Sequence, residues 1–118
     1  MRDHNNLEAF KLADEIAVMV YRITSDYPKT EIYGLTAQMR RAAVSAASNI
    51  VEGCTRISQK EFLRFLEISY GSLKELRYQF TLSFRLEYCD ETAFAQGDKK
   101  MHEAEKVIGC LINRVRKR

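Results

Sequence analysis

Proline occurs once in the 118 residues, at Pro28, and glycine five times. Little in the chain interrupts a helix, so long helices are free to run. Cys54, Cys89 and Cys110 are odd in number, far apart and without a C-x-x-C pair. That excludes a disulfide framework and a cysteine zinc cluster, and reduced, mostly buried thiols are expected. Histidine is limited to His4 and His102, and no E-x-x-H pair of the kind that builds di-iron bundles occurs. Neither histidine belongs to a motif that would make it the base for a serine or cysteine nucleophile. The phosphate loops G-x-x-x-x-G-K and G-x-G-x-x-G are missing. No apolar run approaches about 18 residues, so no spanning helix is expected. The opening MRDHNNLEAF lacks the apolar stretch of a signal peptide. These absences point to a cytoplasmic protein that is not an enzyme, holds no cofactor or metal and contacts no membrane.

A large excess of one charge is lacking too. Nineteen basic residues stand against 16 acidic ones, a net charge of +3. This permits contact with phosphate without demanding it, and a mixed solvated surface accounts for most of the charges. Hydrophobic residues make up 46%, ordinary for a globular chain. The length suits one domain, residues 1–118, with a single core.

What is present falls into four amphipathic segments. The first helix is expected from a cap at Asn5 or Asn6 to about Asp26 or Tyr27, where Pro28 stops it. Its stripe is Leu7, Phe10, Ala13, Ala17 and Val20, widened by Leu12 and Ile16. The second runs from Leu35 or Thr36 to Gly53, read as a left-handed C-cap. Its seam is Leu35, Met39, Ala42 or Ala43, Ala46 and Ile50, small enough for a neighbouring backbone to come close. A second apolar patch, Ala37, Val44, Ala47 and Val51, implies burial on a further side, against another subunit. Ser58-Gln59-Lys60-Glu61 fits a capping box, with Ile57 and Phe62 at the staple positions. From there a third helix extends to about Glu87 along Phe62, Leu66, Ser69, Leu73, Leu76, Phe80 and Phe84. Asp90 caps the fourth, whose seam includes Phe94, Gly97, Met101, Ala104, Ile108, Leu111 and Val115. Gly97 and Gly109 each cost roughly 1 kcal/mol of helix propensity. Four helices with short links predict an all-α, antiparallel up-down-up-down four-helix bundle.

One set of polar residues is not ordinary surface. Gln38, Arg41, Ser45, Asn49 and Glu52 share a side of the second helix, and Glu61, Ser72 and Glu75 share a side of the third. Pairing outward from the turn sets Glu52 near Glu61, Asn49 near Arg64, Arg41 near Ser72 and Gln38 near Glu75. Two readings stand: a polar network that fixes register or joins subunits, and a groove lined for a ligand or catalysis. On the first, Arg41→Ala is expected to cost roughly 3–5 kcal/mol if it strips Glu75 of a buried partner.

The stretches LTAQMRRAAVSAASNIVEG, S-x-K-E-F-x-R-F-L and GSLKEL resemble the four-helix-bundle family of bacterial proteins encoded within intervening sequences of 23S ribosomal RNA genes. The resemblance covers most of the chain and weakens after about Glu87. It places the family's characteristic polar residues on Gln38, Arg41, Ser45, Asn49, Glu52, Ser72 and Glu75. It implies a left-handed bundle that self-associates into a homo-oligomeric ring, a pentamer being favoured. A distant relative, the accessory protein of diversity-generating retroelements, implies a scaffold for nucleic acid and a protein partner. The chain is thus expected to be a non-enzymatic adaptor that contacts RNA or DNA phosphates. The cations proposed for that contact are Arg40, Arg56, Lys60, Arg64, Arg114, Arg116, Lys117 and Arg118. The alternative is a protein-only assembly module with a structural polar network.

Overall fold

Four long helices and two single-turn 3-10 segments make up the computed structural model, which describes residues 2–118. The helices are α1 (Glu8–Thr24), α2 (Leu35–Cys54), α3 (Gln59–Arg85) and α4 (Glu91–Arg116). They form a four-helix bundle of 44 × 24 × 19 Å. Each helix packs on its chain neighbours and α1 also on α4, while the backbones of the diagonal pairs stay apart across the shared core. Arg40 near the start of α2 reaches Thr24 at the end of α1, Ser69 meets Ala46 midway along α3 and α2, and Gln59 at the start of α3 reaches Val115 near the end of α4.

The core holds the expected seams. Ala13, Ile16 and Val20 of α1, Met39, Ala43, Ala46 and Ile50 of α2, Leu66, Leu73, Leu76 and Phe80 of α3, and Met101, Ala104 and Ile108 of α4 are sealed from solvent. α2 and α3 pack most extensively because their contact is built from small residues. Ala42, Ala43 and Ala46 line it, and buried Ser69 donates its hydroxyl to the Ala46 carbonyl at 2.6 Å. Gly97 admits Phe80: a Cβ there would stand 2.7 Å from the ring. Nothing in the structure requires glycine at 109, where a Cβ would meet only Tyr70 at 3.9 Å.

Several ends differ from expectation. α1 does not start on an asparagine cap. Asp3 accepts from the Asn5 amide at 3.0 Å and turns His4–Asn6 into a 3-10 segment, so the helix begins after Leu7 without a side-chain cap. α2 does not stop at Gly53, which is helical and buried with no left-handed φ; a Cβ there would come within 2.9 Å of Phe65. Close approach to α3, not a turn, uses that glycine. Ser58 caps α3 by accepting from the Glu61 amide at 3.1 Å, but the return bond from Glu61 is not made. Ile57 is fully exposed, so no staple forms. Asp90 caps α4 as expected, accepting from the Ala93 amide at 2.7 Å. Pro28 is preceded by a looser end than predicted, with α1 closing at Thr24.

α3 ends in a Schellman turn. The Glu87 amide donates to the Phe84 carbonyl and the Tyr88 amide to the Ser83 carbonyl, both at 2.9 Å. Glu87 takes the left-handed conformation, φ 65°, that glycine normally fills. Glu87→Gly relieves that crowding and is expected to raise unfolding free energy by about 0.5–1 kcal/mol, read by urea denaturation. A loss of stability would mean that the left-handed residue carries no strain.

At the same end, Tyr27 is buried and shares a 2.5 Å hydrogen bond with Ser83. Burial pushes its phenol up to about 12 from 10.0. A phenol kept neutral by the fold contributes stability that is complete below pH 10.0 and fades as pH rises to about 12. Tyrosinate absorbance should therefore show a late titration that is lost in Tyr27→Phe and coincides with alkaline loosening of the bundle; Tyr88, raised by its hydrogen bond to Glu31, remains in that variant.

Candidate nucleic-acid interface

The fold gathers cations from distant parts of the chain at one end. That end holds the start of α3 and the finish of α2 and α4. Gln59 donates to the Val115 carbonyl at 2.8 Å, which fixes the first turn of α3 beside the last turn of α4. Arg2 closes the same end. Its backbone amide donates to the Cys54 carbonyl, its guanidinium donates to the Arg56 carbonyl at 3.1 Å, and it lies 4.0 Å from the centre of the Phe62 ring. Lys60, Arg114, Lys117 and Arg118 all surface there, exposed and without an ion pair among the described residues.

The other proposed phosphate contacts are differently placed. Arg56 is held by Glu52 at 2.5 Å and lies over Phe65, and Arg116 is held by Glu67. Arg64 is exposed and unpaired among the described residues, but it sits a turn further along the outer side of α3. Arg40 does not join the cluster. It is at the far end, donating to Thr24 at 2.9 Å and lying over Tyr21. Sequence reading overlooked Arg2, whose only signal was one basic residue ahead of the first helix.

The polar row is only partly a network. Ser45 and Ser72 share a 2.8 Å hydrogen bond, and Asn49 donates to the Ser45 hydroxyl and carbonyl at 3.0 and 2.8 Å. Arg41 therefore does not face Ser72 as expected. Ser45 opposite Ser72 and Ser69 against Ala46 set the facing residues a few positions further along α3 than expected. Glu52 turns to Arg56, not toward Glu61. Gln38, Arg41, Glu61 and Glu75 are exposed and make no side-chain hydrogen bond or ion pair among the described residues. No buried Arg41–Glu75 pair exists, so the destabilisation expected of Arg41→Ala does not apply; about 0.5 kcal/mol or less is expected for an exposed position. Arg41 instead rims a shallow apolar groove between α1 and α2, with Tyr21, Ile32, Ala37 and Val44. Of the cysteines, Cys54 is buried, Cys89 half-buried and Cys110 exposed, so the thiols are less uniformly covered than expected.

The buried charges lie elsewhere, between α3 and α4. Arg77 grips Asp98 with two bonds, Nε to Oδ1 at 2.8 Å and Nη2 to Oδ2 at 3.2 Å. Its Nη1 donates to Glu105 at 3.1 Å and to His102 Nδ1 at 2.9 Å. Lys74 adds a contact to Glu105 at 3.4 Å. The Asp98 hydrogen bond, foremost, holds the Arg77 guanidinium charged. Glu105 is only 5% exposed, and its Oε2 has no partner. The sequence signal was there: opposite charges at helical spacing, Lys74 and Arg77 on one helix and Asp98, His102 and Glu105 on the next. Asp98 and His102 are partly exposed, so this cluster reads as a structural clasp.

Among the described residues no group of histidine, cysteine or carboxylate side chains is arranged to hold a metal ion. No helix among them is long and apolar enough to cross a membrane.

The family model described as "23S rRNA-intervening sequence protein" matches residues 5–110. A crystal structure of a protein of unknown function from the S23 ribosomal protein family of Bacteroides thetaiotaomicron shares the fold. It superposes with a TM-score of 0.80 at 22% identity, over 89% of this chain and 95% of that one. None of the curated proteins compared with the chain matches it.

Proposed function

The chain belongs to the 23S rRNA-intervening sequence protein family, and from that premise we propose a non-enzymatic, self-associating adaptor that holds RNA or DNA phosphates at its basic end. One observation carries this: Lys60, Arg114, Lys117 and Arg118, from separate segments, converge on one end while remaining unpaired among the described residues. Phosphate contact needs exposed, unpaired cations that can displace counterions, and these four qualify. Arg40, Arg56 and Arg116 do not, because stacking or ion pairs hold them.

Self-association is supported by apolar surface that one chain leaves uncovered: Val18, Tyr21, Ile32, Val44, Ile68 and Tyr78 are exposed by 40% or more. The bundle is proposed to be antiparallel, up-down-up-down and left-handed, with assembly into a ring, in the cytoplasm. The α1–α2 groove also favours a second reading, protein-only assembly, in which the basic end is solvated surface.

A fluorescence-anisotropy titration of labelled single-stranded RNA and duplex DNA at about 50 mM salt separates the two. Saturable binding is expected. An assembled protein that binds neither would leave only the assembly module.

A further inference from the structure

We propose that the cleft between α3 and α4 at Gly109 takes an unpaired base of a nucleic-acid strand, with Tyr70 as its stacking surface. The inference rests on the phosphate-holding reading and extends it from the backbone of the strand to a base. Gly109 lies inside a 26-residue helix, and nothing within the chain calls for it. Alanine would make the better helix, and its Cβ would meet only Tyr70, at 3.9 Å, an ordinary contact. The missing side chain helps to leave a cleft of about 370 Å³, lined by Glu67, Tyr70, Gly109, Ile112, Asn113 and Arg116. That volume falls within the roughly 300–1,000 Å³ usual for small-molecule sites.

The lining suits a flat heterocycle. Tyr70 is half-buried and packed against the core, which steadies its ring, and buried Ile112 adds apolar surface. Asn113 is exposed, and its side chain makes no hydrogen bond among the described residues. A free amide can donate to a base edge and accept from it at once. Glu67 would repel a phosphate, but Arg116 pairs with it across the two helices. The cleft is continuous with the basic end. Lys60 lies on the same stripe of α3 as Glu67 and Tyr70, about 15 Å along the helix from Tyr70, and Lys117 follows Asn113 by one turn of α4. A strand with one base in the cleft therefore has neighbouring phosphates within reach of free cations. That combination of ring, free amide and flanking cations selects a single strand. Duplex DNA keeps its bases stacked inside and reaches the cations alone.

The test is fluorescence anisotropy at one salt concentration with labelled oligo(dT), oligo(U), an abasic strand of equal length and duplex DNA. Both strands with bases are expected to bind the wild type ~10-fold tighter than the abasic strand. A margin shared by both places the contact on the base, and a larger one for oligo(U) adds a ribose contact. Gly109→Leu fills the cleft and is expected to abolish the margin, leaving duplex affinity unchanged and the melting midpoint equal or higher. Tyr70→Phe keeps the ring and is expected to keep the margin. An abasic strand that binds as well as oligo(dT) and oligo(U), or a margin that survives Gly109→Leu, would overturn the base site and leave the phosphate-holding reading standing. Failure of every probe to bind, duplex included, would overturn both.

Discussion

Arg77→Ala is expected to lower the unfolding free energy by about 3 kcal/mol, a factor of roughly 150 in the folding equilibrium. Removing this guanidinium strips Asp98 of both its bonds and leaves Glu105, 5% exposed, with Lys74 at 3.4 Å and the His102 ring at 3.9 Å. Breaking a buried pair from one side costs more than the pair contributes, because the other charge stays behind. The value sits at the low end of the usual range because the Arg77 side chain is itself 28% exposed and Lys74 remains. Chemical denaturation checks it. Pairing the change with Glu105→Leu removes the stranded carboxylate and should recover most of the loss. Equal stability of Arg77→Ala and the wild type would show that the clasp is surface decoration. Arg41→Ala, by contrast, should fall within experimental scatter.

Reversing two free cations at the basic end, Lys60→Glu with Lys117→Glu, is expected to weaken RNA and DNA binding roughly 100-fold near 100 mM salt. Each lost phosphate contact should also flatten the salt slope by about one. Both residues are exposed and without an ion pair among the described residues, so the fold should be unaffected. Arg40→Ala is the internal comparison: it removes a cation at the opposite end, where Thr24 and Tyr21 already hold it, and should leave affinity unchanged. If Arg40→Ala and the double reversal weaken binding alike, the interface is diffuse charge and not this end of the bundle.

The helices were legible because their causes are local. Apolar spacing set the seams, and Ser58 and Asp90 announced the starts of α3 and α4 by the amide each would accept. Gly53 misled because glycine serves two purposes. Its local signature is a helix end, and only the nearness of Phe65 reveals that the helix continues. The polar row was misassigned for a separate reason: the facing register of α2 and α3 is set by contacts between the helices, Ser45 with Ser72 and Ala46 with Ser69, and not by counting outward from the turn. Glu31 was missed as the acceptor for the Leu35 amide, at 3.0 Å, because the 3-10 turn that brings it there has no strong motif. It lies where the bend at Gly34 leaves room for its carboxylate. The clasp around Arg77 and the convergence of Lys60 with the α4 tail are contacts between helices, and no window along one helix contains both partners. The cations themselves were visible in the sequence. Which of them are free, and at which end, is a property of the packed bundle.

The most direct test of the account is the affinity of the unmodified protein for duplex DNA at about 50 and 200 mM salt. With about four phosphates neutralised, the affinity should fall roughly 150-fold across that interval. No binding at the lower salt, or an affinity indifferent to the change, would contradict a phosphate-holding role for the basic end.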